Sequence, residues 1–429
     1  MPALDATTSL SDWLTWLETL HPTEIELGLT RVAEVYQRMG CRRPARYVIT
    51  VAGTNGKGST IAMLESILLS AGYAVGSYTS PHLHHYSERV RVDGVDRSDK
   101  SLCRAFTRVN AARGEVSLTY FEFGTLAALD IFSRNHLDVA LLEVGLGGRL
   151  DAVNIIDPDI AVITSIALDH EEWLGSDREA IGLEKAGIMR AGIPVVCGDR
   201  QPPQSLLQCA ADLKVSLSCL GQQFGYEADT ETWTWWSDNG QGQLSHVGLP
   251  QPALSGGFQL DNAATVLATL QCLREVPVDR FDIEEGLKHV RLPGRFQLLA
   301  TTAIPSIYDV AHNPHAAAAL ALSLQAQRVT GRTRMVFGAM ADKDIALIVN
   351  ELSAVVDRWY LAAPRIARAA QPEQISTILR EQGISEDNMQ SYAGVSQAFE
   401  AAQAEAEEDD RIVVCGSFYT VAEALPAHV

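Results

Sequence analysis

The sequence predicts an α/β protein, built from two successive runs of buried parallel strands alternating with helices. Three observations predict it. First, the apolar runs Tyr47–Val51, Leu137–Val144, Ile160–Ile166 and Ile193–Cys197 are short, β-branched or Leu-rich, and separated by stretches of helical spacing. Strands of that kind alternating with helices belong in a parallel sheet covered on both faces. Second, the pattern restarts beyond Arg291-Leu292-Pro293-Gly294-Arg295, where Pro and Gly interrupt it. Third, 429 residues with 47% apolar and 20% charged side chains can form two or three domains with large cores.

Taken in order, Ser11–Leu20 and Leu27–Met39 have helical spacing, and Gly40 is placed to end the second helix. The strand Tyr47–Val51 runs into Gly53-Thr54-Asn55-Gly56-Lys57-Gly58-Ser59-Thr60, followed by a helix to about Leu69. Strand, glycine turn and helix in this order make a phosphate site. The glycines let successive N–H groups turn inward, the helix N-terminus adds positive potential, and Lys57 reaches the outer phosphates. A hydroxyl just beyond the lysine can ligate Mg²⁺, although Gly58 separates Lys57 from Ser59, a departure from the common G-x-x-x-x-G-K-[ST] form. The N-terminal part is therefore expected to be a P-loop-type parallel-sheet ATPase domain.

Leu137–Val144 carries Glu143 to the carboxyl end of a strand, ahead of the glycine-rich Gly145–Arg149. Such ends face the crevice where ligands bind, and a hard cation wants oxygen ligands, which makes Glu143 a natural partner of Ser59. Asp169 and His170 follow Ile160–Ile166, and Ser80 ends another strand. His170 reads equally well as a ligand or as a structural residue. In Val215–Pro252 the three tryptophans Trp233, Trp235 and Trp236 sit amid polar residues, with Asp238-Asn239-Gly240 as a hairpin turn. This predicts a small antiparallel appendage with its tryptophans on a packed face rather than a ligand platform. A helix at Asn262–Leu273 precedes the joint, giving domains 1–294 and 295–429. Strands at Ser306–Val310, Thr333–Phe337, Arg358–Leu361 and Arg411–Cys415 predict a smaller, Rossmann-like α/β C-terminal domain, with the acidic Glu400–Asp410 as a solvated helix and turn.

Thirty-four Lys+Arg against 53 Asp+Glu leave a net charge of −19, which opposes nucleic-acid binding. Lysine is scarce: Lys57, Lys100, Lys185, Lys214, Lys288 and Lys343. The seven cysteines form no C-x-x-C pair, against a disulfide framework or zinc knuckle and for a reducing compartment. The start of the chain has no basic region followed by an apolar one, and Ala316–Leu324 is too short to span a bilayer. A soluble, cytoplasmic chain without a membrane partner is expected.

Together these residues resemble the folylpolyglutamate synthase and dihydrofolate synthase family of the Mur ligase superfamily. The resemblance runs in order along nearly the whole chain. It takes in His21 with Glu24–Leu29, Gly53–Thr60, Thr79–Leu83, Glu88-Arg89, Leu118–Phe123 and Glu143–Ala152. It continues through Leu168-Asp169-His170, Glu184–Ile188, Leu292–Arg295, Asp309–Pro314 and Cys415–Phe418. It implies an ATP-dependent amide ligase in which a substrate carboxylate attacks the γ-phosphate, and glutamate's amine then attacks the acyl phosphate.

By that resemblance Gly53, Thr54, Asn55, Gly56, Lys57, Gly58, Ser59 and Thr60 grip ATP, with Asn262, Arg295 and Asp309, and His312 shares the site. Ser59, Ser80, Glu143 and His170 would hold Mg²⁺ at two sites. Glu24, Ile25, Glu26, Leu27, Thr119, Tyr120, Phe121, Glu122, Leu150, Asp151 and Ala152 map to a pterin pocket. The Thr119–Glu122 segment looks like members that accept dihydropteroate, which implies action on dihydropteroate as well as on tetrahydrofolates. Lys343 and Ser417 are candidates for binding L-glutamate. Read alone, Lys185 is an ion-pair partner for Glu184 or Glu179 on its own helix; the resemblance implies instead a lysine carbamylated by CO₂. A departure is Tyr86-Ser87, where some members have Phe-Asn before Glu-Arg. A monomer is expected. Two alternatives stand beside this reading: another Mur-type ligase of peptidoglycan precursors, and a P-loop ATPase switch acting on a partner.

Overall fold

The structure, a computed structural model, describes residues 5, 7–238, 243–299 and 304–427. The expected turn residues Asn239 and Gly240 lie outside the described residues. The chain divides into two units, one running to Ala253 and including Leu260–Val290, the other formed by Leu254–Gln259 and Arg291 onward.

In the first unit, α1 (Leu10–Leu20) and α2 (Thr30–Met39) precede β1 (Ala45–Ala52) and α3 (Lys57–Ser70). Gly40 ends α2 in the left-handed conformation that glycine adopts without strain. The helix expected from Leu27 starts only at Thr30, leaving 21–29 as an irregular link. Then come β2 (Val75–Tyr78), β3 (Val90–Val92), β4 (Val95–Asp96), α4 (Asp99–Arg113), α5 (Tyr120–Ser133) and β5 (Leu137–Glu143). Next are β6 (Ile160–Ile163), α6 (Glu171–Leu174), α7 (Arg178–Ala186), β7 (Pro194–Cys197), α8 (Gln204–Asp212) and β8 (Ser216–Cys219). These strands form one sheet in the order β4-β3-β2-β5-β1-β6-β7-β8, antiparallel only at the β2-β3-β4 end. The interior strand β1 buries Val48, Ile49, Val51 and Ala52 completely, as expected of a strand covered on both faces.

The register fixes the site. Val51 lies beside Glu143, Ala52 beside Ile163, and Tyr78 beside Leu142, so β1, β2, β5 and β6 all end at one edge. β1 is also where the strand order changes direction, the position at which open α/β sheets bind ligands.

The appendage is smaller than the sequence suggested. Ser216–Cys219 pairs in parallel with β7 and completes the large sheet, while β9 (Phe224–Ala228), β10 (Thr232–Asp238) and β11 (Gln243–Pro250) form the antiparallel sheet. Trp233 and Trp235 are buried there, their indole N–H groups donating to Pro250 O at 2.8 Å and Ala264 O at 3.1 Å. That is a packed face. Behind it run α9 (Phe258–Cys272) and α10 (Arg280–His289). α10 lies against α3 at Gly286, where a Cβ would come within 2.4 Å of Ile67.

The second unit carries β12 (Gln297–Leu299), β13 (Ser306–Tyr308), β14 (Thr333–Phe337), β15 (Arg358–Leu361), β16 (Met389–Ser391) and β17 (Arg411–Cys415), ordered β12-β13-β17-β14-β15-β16 and parallel except for β12. Helices α11 (Pro314–Ala326), α12 (Ile345–Leu352), α13 (Pro372–Glu381), α14 (Val395–Glu405) and α15 (Phe418–Ala424) connect or follow the strands. Its core includes Leu320, Met335, Ile348, Trp359, Leu379 and Val413. Asp410, expected on a solvated turn, is buried and paired with Arg334 at 2.7 Å. No described helix is long and apolar enough to cross a membrane.

Candidate active site

The turn after β1 is held open by its neighbours. Thr54 N–H donates to Ser165 O at 2.7 Å, and its hydroxyl donates to Ala167 O and accepts the Ala167 N–H, both at 3.0 Å. Thr164 Oγ1 donates to Asn55 O at 2.6 Å. Lys57 Nζ donates to Gly53 O at 2.9 Å and Thr54 O at 3.2 Å, crossing its own loop. Gly56 has φ +89°, and a Cβ there would lie 2.4 Å from Asn262 Oδ1, so Asn262 packs directly on the loop. Ser59 and Thr60 are buried in the first turn of α3, and Thr60 Oγ1 has no hydrogen-bond partner.

Glu143 is buried at the end of β5, where Oε2 accepts the Ser80 N–H at 3.0 Å. Two of the expected ligands, one ending β5 and one just beyond the neighbouring β2, are thus in contact. β6 ends at Ile163, earlier than expected, so Asp169 and His170 come from the loop beyond it. His170 starts α6 with φ +52°, and its N–H donates to Asp169 Oδ1 at 2.9 Å. That loop is pinned by Asp199, whose Oδ2 accepts from Ile166 N–H at 2.8 Å and Arg178 at 3.0 Å. The sequence reading missed Asp199 and Arg178. Their only signal was an acid beyond a strand end.

Lys185 does not pair with its helix neighbours. Glu184 is taken by Arg149 at 2.7 Å, and Glu179 accepts the N–H groups of Ser205 and Gln204 at 2.7 and 3.1 Å. Lys185 is instead 3% exposed at the end of α7. Burial, aided by the charge of Lys57, pushes its ammonium down to about 7 against the opposing pull of Asp169 and Asp151. An amine that gives up its proton near neutral pH therefore lies within electrostatic reach of the phosphate loop. The glycine-rich turn lets it pack there: a Cβ on Gly148 would meet Glu184 O at 2.6 Å and Lys185 Cα at 3.0 Å.

The three segments mapped to the pterin pocket also meet. Phe121 packs on Gly145, where a Cβ would lie 2.6 Å from its ring. Buried Asp151 accepts the N–H groups of Gly145 and Leu146 at 2.9 Å each, and of Val153 at 3.0 Å. Burial raises its carboxyl to about 6 despite those bonds. Thr119 and Glu122 form the capping box of α5, and Arg31 joins Glu122 at 3.0 Å and also binds Glu26. Arg31 is a third residue the sequence reading missed. Glu24, Ile25 and Leu27 lie on the same irregular link as Glu26, and Tyr120 flanks Arg89, which sits 5.5 Å over its ring.

In the second unit, Asp309 is buried, its oxygens accepting from Phe296 N–H and Ala311 N–H at 2.8 Å each. Burial raises its carboxyl while Arg295 and His312 oppose the shift. Arg295 stacks 4.9 Å over Phe418, and the His312 ring lies 6.0 Å from the same phenyl. Ser417 caps α15, its hydroxyl 2.7 Å from that of Thr420, and Lys343 occupies the turn before α12.

Residues 51–201 match the family model of the Mur ligase middle domain, and residues 294–418 that of the Mur ligase glutamate ligase domain. The dihydrofolate synthase/folylpolyglutamate synthase of Escherichia coli K12 is 45% identical over 423 residues, covering 98% of this chain and 96% of that protein. The solved structure of E. coli FolC in complex with DHPP and ADP aligns with a TM-score of 0.91 at 45% identity over 98% of each chain. A bifunctional folylpolyglutamate synthase/dihydrofolate synthase with Mn, AMPPNP and L-glutamate bound aligns with a TM-score of 0.89 at 46% identity, again over 98% of each chain. The chain belongs to the dihydrofolate synthase/folylpolyglutamate synthase family of Mur ligases.

Proposed function

We infer that the chain is an ATP-dependent ligase that joins L-glutamate to dihydropteroate, giving dihydrofolate, and to tetrahydrofolates, giving polyglutamates. The observation that carries this reading is the full-length similarity to relatives of that name, one of them bound to DHPP and ADP.

The donor chemistry at the strand ends fits a hard divalent cation with ATP. Ser59, Ser80 and Glu143 offer oxygen, His170 adds nitrogen, and the buried Thr60 hydroxyl still lacks a partner. We assign Ser59, Ser80, Glu143 and His170 as ligands of two magnesium ions. Among the described residues no group of three or more His, Cys, Asp or Glu side chains is placed to hold a metal, so phosphate and water would supply the other oxygens. When bound, magnesium disperses negative charge during phosphoryl transfer.

The loop amides of Gly53–Gly58 and Lys57 orient the phosphates, Lys57 exchanging its two loop carbonyls for phosphate oxygens. Asn262, Arg295 and Asp309 bind ATP, and His312 shares their site. The pocket formed by 24–27, 119–122 and 150–152 orients the substrate so that its carboxylate attacks the γ-phosphorus, forming an acyl phosphate and releasing ADP. The neutral glutamate amine then attacks the acyl carbon; the amide C–N bond forms as phosphate leaves, and the nitrogen gives up one proton and keeps the other as the amide N–H. Lys343 and Ser417 are candidates to hold that glutamate. We assign Lys185 as carbamylated, which would exchange its ammonium for a negative charge within electrostatic reach of Lys57. The low affinity of its buried amine for a proton supports this, since only a neutral amine adds CO₂. We further infer a cytoplasmic monomer acting on small molecules, without nucleic-acid or membrane partners; the net charge of −19 opposes phosphate backbones.

Phosphate release is measured with ATP and Mg²⁺, adding dihydropteroate and L-glutamate singly and together. Sustained release only with both is expected. Sustained release with neither would sink the ligase reading and favour an ATPase switch, while activity restricted to a tetrahydrofolate acceptor removes the dihydropteroate reaction.

A further inference from the structure

Arg31 and Glu122 are 91 residues apart in sequence and 3.0 Å apart in space. Between them runs a continuous polar path. His21 Nδ1 lies 2.8 Å from Ser117 Oγ, and its Nε2 lies 2.8 Å from Glu26 Oε2. The Arg31 guanidinium binds the other Glu26 oxygen, donates to the Glu26 carbonyl at 3.2 Å, and reaches Glu122 Oε1. The remaining Glu122 oxygen accepts the Thr119 N–H at 2.8 Å. Glu122 is buried, and among the described residues Arg31 is the one cation within 4 Å of it.

We propose that Arg31 is a positioning residue for the fused, bicyclic heteroaromatic end of the substrate. By clamping Glu26 and Glu122 it fixes the spacing between the 24–27 link and the start of α5, two walls of the pocket. The inference rests on the pocket reading given above. The link has no helical or strand hydrogen bonds of its own, so side chains must set its position. A guanidinium can bridge two carboxylates and a carbonyl at once because its donors diverge in a rigid plane, which an ammonium cannot reproduce. Removing it strands a buried carboxylate and leaves the link held toward α5 only through His21 and Ser117. Phe121 and Asp151 tie α5 to the third wall through Gly145, and on the other side the clamp supplies the direct tie to Glu122 that His21, which reaches Ser117, does not make.

The test compares Arg31→Met and Arg31→Lys with the parent in the full chain. It reads equilibrium binding of 7,8-dihydropteroate by fluorescence, KM for each of the three substrates, and thermal unfolding. Arg31→Met is expected to weaken dihydropteroate about tenfold in both Kd and KM, leaving KM for ATP and glutamate within about twofold. Arg31→Lys should fall between. An unchanged dihydropteroate Kd overturns the proposal, as does an equal loss for all three substrates. Should Arg31→Met fail to fold, Arg31→Lys and Glu26→Gln carry the test, and a dihydropteroate Kd unchanged in both also overturns it. Binding is read without turnover. A parent chain that binds dihydropteroate but forms no ADP therefore counts against the ligase reading, not against Arg31. A parent that does not bind it removes the pocket and this proposal together.

Discussion

Lys185 keeps an amine where its surroundings disfavour an ammonium, and that conflict can be measured. Its folded pKa of about 7 lies below the ordinary 10.5. Below pH 7 both folded and unfolded chains are protonated and the folded state bears the full penalty; above about 10.5 both are neutral and the penalty is gone. With CO₂ excluded, Lys185→Met should therefore be more stable than the parent near pH 6, the gap closing as pH rises from 7 to 10, while ligation is abolished. Denaturant unfolding at three pH values checks this, and a variant less stable than the parent at pH 6 contradicts it. With ¹³C-labelled CO₂ at fixed concentration, the parent should show a carbamate carbon resonance that grows from pH 6 to pH 8 and is absent from Lys185→Met. At this scale legibility followed locality. Lys57 and Glu143 could be read because a loop pattern and a strand end announce them within a few residues. The burial of Lys185 could not, since Glu184 and Glu179 beside it in sequence offered partners that Arg149 and the Ser205 backbone occupy in space. Arg31 was hidden in the same way by distance along the chain.

Between elements, the glycine-rich turn and the end of α7 form one unit joined backbone to backbone. Arg149 N–H donates to Glu184 O at 2.8 Å, and Asn154 Nδ2 donates to Arg149 O and Gly187 O at 3.0 Å each. Gly148 and Gly187 are both tight points, and the 2.6 Å contact a Cβ on Gly148 would make is with a backbone oxygen that cannot swing aside. Gly148→Ala should cost about 1–3 kcal/mol of stability and lower kcat with it, because relief requires moving Lys185. Gly257→Ala, where a Cβ meets nothing within 4 Å, is the control and should stay within about 0.5 kcal/mol. Equal unfolding midpoints for the two variants would refute the packing account. The run Gly145–Gly148 announced a turn in the sequence but not its partner. β8 was misassigned to the appendage for a related reason. Ser216–Cys219 is an edge strand with an exposed first residue, so it lacks the continuous apolar run that marks interior strands such as β1. Thr119–Glu122 also forms the capping box of α5, a cap that the sequence reading passed over while assigning the segment, by resemblance, to a pocket.

For the whole molecule, the alternation of strands and helices was enough to read two α/β units, because hydrophobic periodicity is repeated over many elements and survives errors of a few residues in any one. Net charge was legible too, and it constrains how the site must work. A chain of net charge −19 binds a polyanionic nucleotide and acidic substrates, so its general field opposes each encounter. Only six lysines are available, and one of those near the loop, Lys185, has lost much of its hold on a proton at neutral pH. Under the proposed function the local attraction comes from oriented N–H groups, Lys57, Arg295 and a divalent cation that neutralises part of the nucleotide's charge. Chelating the cation should consequently do more than stop turnover. Nucleotide affinity itself, measured by calorimetry with ATP in excess EDTA against ATP with Mg²⁺, should fall at least tenfold at 0.05 M salt. Raising the salt to 0.3 M should recover part of the loss in EDTA, since screening weakens the repulsion from the acidic surface. Affinity within twofold of the magnesium value, or a loss that deepens with salt, would show that the loop overcomes the molecule's charge unaided.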